Sequence, residues 1–245
     1  MIPFWQGSGR SQMALDWWLF EQHRLGLHPP TLRFYAWEPV AISLGYHQRR
    51  FPKEWRSLVW RGQAVELVRR PSGGRAVLHQ GDLTYAVVAS QFADNRIQAY
   101  QQVCEFLVEG WRSLRIELEY GTAQRNYLHN PNCFGTATGA DLVRADGTKL
   151  IGSAQLRQGR ALLQHGSMRL NPDREFMQQV FGDNVDAIAP LPISFTQQEV
   201  QAALTAAAER CFEIRLEVRS LQLDEWQQVE ALAADKSFLA IAPNP

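Results

Sequence analysis

The spacing of apolar and polar positions along the chain predicts alternating short strands and amphipathic helices. Residues 11–25 put Leu15, Trp18, Leu19 and Gln22 on one helical face, with Ser11 as the candidate cap and Gly26 and Pro29-Pro30 ending the helix. From Thr31 to Trp37 the pattern alternates, and Val40 to Leu44 reads as a second strand after Glu38-Pro39, so the two form a hairpin. Residues 69–88 read as strand, tight loop and strand, with Arg75, Val77 and His79 on one face of the emerging strand. Asp94 to Leu114 has helical spacing through Ile97, Val103, Leu107 and Trp111, which makes Cys104 a buried structural thiol. A strand through Ile116, Leu118 and Tyr120 leads into a polar loop, Gly121 to Asn132.

An antiparallel meander follows. Ala140 to Arg144 and Lys149 to Arg157 are joined by a turn containing Asp146-Gly147, a dipeptide suited to tight hairpins. After Gln158-Gly159 comes Ala161 to Leu170, with Leu163, His165 and Ser167 on one side. On the strand before it, Lys149, Ile151, Ser153 and Gln155 share a face. Asp173 to Val180 reads as a short helix, Asn184 to Pro192 as an irregular connection, and Thr196 to Phe212 and Asp224 to Ala234 as two last helices before a loose Ala-Pro-Asn-Pro tail. The large aromatics of the first hairpin are assigned to the core.

Composition narrows the class. The 245 residues are enough for one full core, and 25 basic residues balance 25 acidic ones, which removes a general electrostatic case for nucleic acid or an anionic membrane. No apolar run approaches the roughly 20 residues a spanning helix needs, and Met-Ile-Pro-Phe-Trp-Gln-Gly lacks a charged leader region, so the chain is expected to be cytoplasmic. Three cysteines, Cys104, Cys133 and Cys211, without CxxC spacing argue against a disulfide framework and against a metal site. Gly73 and Gly74 offer a bare backbone floor among three cations, Arg69, Arg70 and Arg75, which suits a carboxylate, a phosphate or an acyl group with a polar head; a plain turn with solvated arginines is the alternative.

Arg69-Arg-Pro-Ser-Gly-Gly-Arg-Ala-Val-Leu-His79, followed by Leu83-Thr-Tyr85, resembles the signature of the lipoate and octanoate attachment enzymes, a superfamily shared with biotin protein ligases. Leu32-Arg-Phe-Tyr-Ala-Trp-Glu-Pro39, Ser43-Leu-Gly-Tyr-His-Gln48 and Lys149-Leu-Ile-Gly-Ser-Ala-Gln155 extend the likeness from about residue 10 to residue 170. Arg75 and the Leu78-His79 pair are most similar to the octanoyltransferases that use a cysteine nucleophile. The resemblance implies an α+β fold, a mixed and largely antiparallel sheet flanked by helices. Residues 1–245 would then form a single catalytic domain, with residues 195–245 as its helical C-terminal part.

It also implies chemistry. Cys133, in His129-Asn-Pro-Asn-Cys-Phe-Gly135, would take an octanoyl group from acyl carrier protein as a thioester, and Lys149 would favour the thiolate and hold the acyl carbonyl. The acceptor would be a lysine of a lipoyl-domain protein, glycine cleavage H protein or a 2-oxoacid dehydrogenase acyltransferase subunit. No cofactor is called for, and a monomer is expected. Arg70, Ser72, Gly73, Gly74, Arg75, His79, Gly152, Ser153, Ala154 and His165 are the substrate-binding candidates. His79 and His165 are read as shaping the pocket rather than acting as bases, and His129 as a surface residue or a partner of Cys133. The apolar face of the meander would line the fatty-chain tunnel. Taken alone, Lys149 would be an ordinary solvated strand lysine.

Two departures stand out. Gln80 occupies a position where the family usually carries an acid, and Gly135-Thr-Ala-Thr-Gly139 differs from the expected Asp-Ala-Pro type. An ATP-dependent lipoate ligase, and a non-catalytic protein that holds a lipoyl group or a carrier, are the competing readings.

Overall fold

The computed structural model describes residues 1–121, 141–182, 191 and 193–241. In chain order these form β1 (Ile2–Gly7), α1 (Gly9–Arg24), β2 (Thr31–Trp37), β3 (Ala41–Leu44), a 3₁₀ turn (Lys53–Ser57), β4 (Val59–Trp60), β5 (Gln63–Ala64), β6 (Glu66–Arg69) and β7 (Val77–His79). Then come β8 (Asp82–Ala89), α2 (Arg96–Ser113), β9 (Glu119–Tyr120), β10 (Leu142–Val143), β11 (Lys149–Gln158), β12 (Ala161–Arg169), α3 (Arg174–Phe181), α4 (Gln197–Cys211) and α5 (Leu223–Ala234).

Seven strands make the main sheet, in the order β1-β2-β8-β12-β11-β10-β9, and β6-β3-β7 form a smaller one. Only β1 and β2 run parallel in the main sheet, so the mixed, largely antiparallel architecture is as expected. The meander β10-β11-β12 is present. The hairpin at Glu38-Pro39 is not: β2 is paired on both edges, by β1 and β8, so β3 has no edge to join. It pairs instead with β6 and β7. Strand β1 was not anticipated, because six residues with a burial pattern that alternates only partway carry little signal.

Helix α1 begins earlier than the apolar period suggests. Ser8, not Ser11, is its cap, accepting the N–H of Ser11. Its buried face is wider too, taking in Gln12 and Asp16 besides Leu15, Trp18 and Leu19. Asp173 caps α3 and Thr196 caps α4, the latter in a capping box with Glu199.

One face of the main sheet is sealed by α2 and α4, where Tyr85, Ile151, Leu162 and Met168 pack with Cys104, Leu107, Trp111 and Leu204. Gly110 permits the close crossing, since a Cβ there would sit 2.6 Å from Leu204 Cδ2. The other face carries α1 and α5, with Met13, Leu15, Tyr35, Trp37, Ala86 and Leu163 in a second cluster. A third cluster joins the smaller sheet to α3 through Ile42, Leu44, Trp55 and Phe176. Among the described residues, no helix is long and apolar enough to cross a membrane. Residues 122–140, 183–190, 192 and 242–245 fall outside the described residues, and with them all but Gly121 of the expected polar loop Gly121 to Asn132, most of the expected connection Asn184 to Pro192, and the expected tail.

Candidate functional site

A cleft of about 540 Å³, counted out to its mouth, opens on the α1 side of the main sheet. This corrects the expected tunnel: the apolar face of the meander is buried under α2 and α4, and the cleft lies on the opposite side. Arg70, Gly74, His79, Lys149, Gly152, Ser153, Ala154 and His165 all line it, drawn from loop and strand segments far apart in sequence. Ser72, Gly73 and Arg75, expected to bind substrate, are not among its lining residues: Ser72 bonds the far ring nitrogen of His165, and Gly73 lines a separate groove with Trp17, Tyr46 and Pro71.

The glycine loop is held by its own arginines. Arg70 donates to Ser43 O at 3.0 Å, Gly73 O at 2.7 Å and Arg75 O at 2.7 Å, so the guanidinium ties down carbonyls of the loop it belongs to. Arg69 donates from Nη1 to the carbonyls of Gly45, Tyr46 and Gln48, fixing the neighbouring loop. The two loops then close on each other. A Cβ on Gly45 would lie 1.9 Å from Gly74 O, and Gly74 itself has φ of +93°, so both positions need glycine.

Two buried histidine chains run along the cleft. His79 Nδ1 meets Asp82 Oδ2 at 2.8 Å and its Nε2 meets Ser43 Oγ at 2.8 Å. Ser167 Oγ, at 2.6 Å, and Thr84 Oγ1 donate to the same Asp82 oxygen, and the Trp37 ring stacks 3.7 Å from the imidazole. Burial lowers the His79 pKa, with Asp82 opposing, so the ring is neutral near pH 7. In the second chain, His165 Nδ1 meets Asp16 Oδ2 at 2.6 Å and its Nε2 meets Ser72 Oγ. Arg33 Nε donates to Asp16 Oδ1 at 2.8 Å and Tyr35 Oη to Oδ2 at 2.9 Å. Burial disfavours the Asp16 charge, but Arg33 and His165 outweigh it and hold the pKa below the ordinary value. Ser72 therefore orients His165 from behind rather than facing the cleft.

Lys149 enters the cleft at the start of β11 with its side chain 4% exposed, and its Nζ lies 2.9 Å from Asp141 Oδ1. Farther along β11, Ser153 Oγ meets Tyr85 Oη at 2.7 Å, and Gln164 Nε2 donates to that Tyr85 oxygen at 2.7 Å and to Cys104 Sγ at 3.2 Å. Burial pushes the Cys104 thiol up to about 12, which makes it inert, as its apolar neighbours led one to expect. Gly166, opposite Ser153, keeps this corner open: a Cβ there would sit 2.6 Å from the Tyr85 ring and 2.7 Å from Ser153 Oγ. Gln80 does not leave the loop end loose. Its Oε1 accepts the N–H of Asp173, and His79 takes its carboxylate from Asp82 instead.

Cys133 and His129 lie outside the described residues. The sequence reading overlooked Asp16, Arg33, Tyr35, Ser43, Asp82 and Asp141. Local signals existed for two of these: an acid among Leu15, Trp17 and Trp18 on an apolar helix, and an acid three residues after His79.

The architecture is that of the lipoate ligases. A putative lipoate protein ligase of Thermoplasma acidophilum, solved with bound lipoic acid, superposes with a TM-score of 0.80 at 20% identity, over 97% of this chain and 98% of that one. A lipoate-protein ligase A bound with ATP gives 0.81 at 20% identity, over 99% and 98%. The chain belongs to the lipoyl protein ligase A/B catalytic domain family, whose profile matches residues 8–207. Within that family it is 33% identical over 251 residues to the octanoyltransferase LipM of Halalkalibacterium halodurans, with 91% of this chain and 90% of that protein covered. It is 34% identical to the octanoyltransferase LipM of Anoxybacillus flavithermus and 33% to that of Bacillus subtilis, with the same coverage.

Proposed function

We propose that this protein is an octanoyltransferase of protein lipoylation, moving an octanoyl group from acyl carrier protein through a Cys133 thioester to a lysine of a lipoyl-domain protein. The observation that carries the reading is Lys149, a buried ammonium fixed by Asp141 on the wall of the cleft, in a chain one-third identical to octanoyltransferases. A surface lysine has no such setting.

In this reading the Cys133 thiolate attacks the carbonyl of the octanoyl thioester. The carrier thiolate departs with the electron pair of the broken C–S bond and takes up a proton. Lys149 favours the Cys133 thiolate and holds the acyl oxygen as negative charge develops on it, a contribution of roughly 3 kcal/mol for a well-placed donor. The neutral ε-amine of the acceptor lysine then attacks the acyl-enzyme. The C–N bond forms, the C–S bond breaks with its electron pair leaving on the Cys133 sulfur, and the proton lost by the nitrogen balances the one taken up by the carrier thiolate. The acyl bond stays activated throughout, so no ATP is consumed. The histidine chains, the Arg70-held glycine loop and Gly152-Ser153-Ala154 shape the cleft around the acyl group. Residues 1–245 act as one catalytic domain, a cytoplasmic monomer, whose acceptor is glycine cleavage H protein or a 2-oxoacid dehydrogenase subunit.

The test is intact mass after incubation with octanoyl acyl carrier protein without ATP, for the wild type and Cys133→Ala. One hydroxylamine-sensitive octanoyl adduct, absent from the variant, is the expected result. No adduct on either protein, with transfer that requires ATP and free lipoate, would instead make the protein a ligase.

A further inference from the structure

Met13, on α1 and 2% exposed, is shared by two cavities. On one side it lines the cleft that holds Lys149, Tyr35 and Trp37. On the other it lines a groove of about 900 Å³, mouth included, in which the apolar side chains of Val65, Val68 and Phe238 stand beside four cations, Arg10, Arg56, Arg69 and Lys236. The unbranched side chain of one residue thus belongs to the partition between them.

The register gives the cleft a length. Lys149 and Gly152 belong to β11, His165 and Ser167 to β12, Thr84 to β8, and Tyr35 to β2, with Ser167 opposite Thr84 and Thr84 opposite Tyr35. From β11 to β2 is three strand spacings, about 14 Å. An extended eight-carbon acyl chain, with C–C bonds of about 1.5 Å, is about 10 Å long. With its carbonyl oxygen a hydrogen-bond length of about 3 Å from Lys149 Nζ, such a chain covers about 13 Å of that span and crosses the strands toward Tyr35, Trp37 and Met13. The polar groups along that path are engaged with one another: Ser167 and Thr84 donate to Asp82, while His165 bonds Asp16 and Ser72. The path therefore asks for no polar partner from the chain it holds.

We infer that Met13 is the end stop that sets acyl-chain length, closing the cleft behind the last carbon of an octanoyl group and shutting off the groove beyond, which has apolar side chains along one part of its wall. The inference rests on the octanoyltransferase reading. Met13→Ala removes three heavy atoms from the partition and lets carbons past the eighth run into the groove, whereas Met13→Phe, stiffer and broader, shortens the cleft.

The experiment is a competition between octanoyl and dodecanoyl acyl carrier protein for one lipoyl-domain acceptor, with the products counted by mass spectrometry. Since one methylene in an apolar pocket is worth 10-fold or more, Met13→Ala should raise the dodecanoyl-to-octanoyl product ratio at least about 10-fold. Met13→Phe should favour hexanoyl over octanoyl, and Met13→Leu should leave the preference near that of the wild type. Each ratio is taken within one enzyme, so a partly unfolded variant does not distort it. Wild-type transfer with ratios unmoved in both Met13→Ala and Met13→Phe overturns the end stop alone. Absence of any wild-type transfer overturns the functional reading and the end stop with it.

Discussion

The two faces of the main sheet are built by different rules. The face under α2 and α4 is a mainly apolar layer, with Trp111, Leu107 and Phe106 fully buried and one small polar cluster, Gln164 with Tyr85 and Cys104, set into it. The face under α1 holds an ion pair, two buried histidines and the cleft, and its polar atoms are bonded to one another. Apolar layers tolerate substitution at a cost proportional to the volume lost, whereas an interlocked polar wall fails when one member goes, because its partners stay buried without a counterpart. The candidate site sits on the face that is harder to build. The lesson is that the α2/α4 layer supplies stability, which lets the cleft side carry buried charge.

The largest effect should come from Asp16→Asn, which leaves Arg33 buried beside a neutral amide. The expected loss is about 4 kcal/mol of unfolding free energy, read from urea denaturation at pH 7. The pH dependence has a definite sign. The folded pKa of Asp16 is depressed, so its contribution is present above the unfolded carboxylate value of about 3.9 and is lost as pH falls through the folded value. His79 is depressed as well, so its share is present above about 6.5 and is lost as pH falls from there through the folded value. Wild-type stability should therefore fall on acidification in two stages, and the more acidic one should be smaller in Asp16→Asn, where the depressed values of the exposed Asp146, Glu199 and Asp235 remain. A single stage shared by both proteins would break the comparison.

Trp111→Ala, on the opposite face, should cost about 3 kcal/mol through the cavity it opens. Octanoyl transfer per folded molecule should stay within about twofold of the wild type. A selective loss of kcat would show that the apolar layer reaches into catalysis. Lys149→Gln should lower kcat/KM for octanoyl transfer about 10²-fold, and Lys149→Arg should restore little, since a broad guanidinium does not reproduce a point charge beside Asp141. Full activity in Lys149→Gln would remove Lys149 from the mechanism. The smallest expected change is Thr196→Ala, which removes the α4 cap and should lower stability by about 1 kcal/mol with kinetics unaltered.

Much of the site was legible through resemblance to a known family, because the motifs that carry the resemblance are local. Lys149 and Gly152-Ser153-Ala154 lie within six residues on one strand, and Arg70, Gly74 and His79 within ten around one loop. Those spacings place side chains together whatever the rest of the chain does. The partners of the two histidines are of another kind. Asp16 reaches His165 across 149 residues, and Ser43 reaches His79 across 36. Ser43, seen in its own strand, is indistinguishable from a solvent-facing polar residue, and the apolar neighbours of Asp16 mark it as buried without naming its partner.

The sequence by itself determined the helices, the meander and the glycine loop, since periodicity and turn residues act over a few positions, whereas Lys149 was singled out by the resemblance of its motif to a known family. Tertiary structure alone decided that β3 leaves β2 for a second sheet, that the meander turns its apolar face to α2 and α4, and that Met13 stands between two cavities. These outcomes depend on which strand edges are already taken and which surfaces meet when the layers pack. Pairing and packing of that kind join residues that no stretch of sequence brings together.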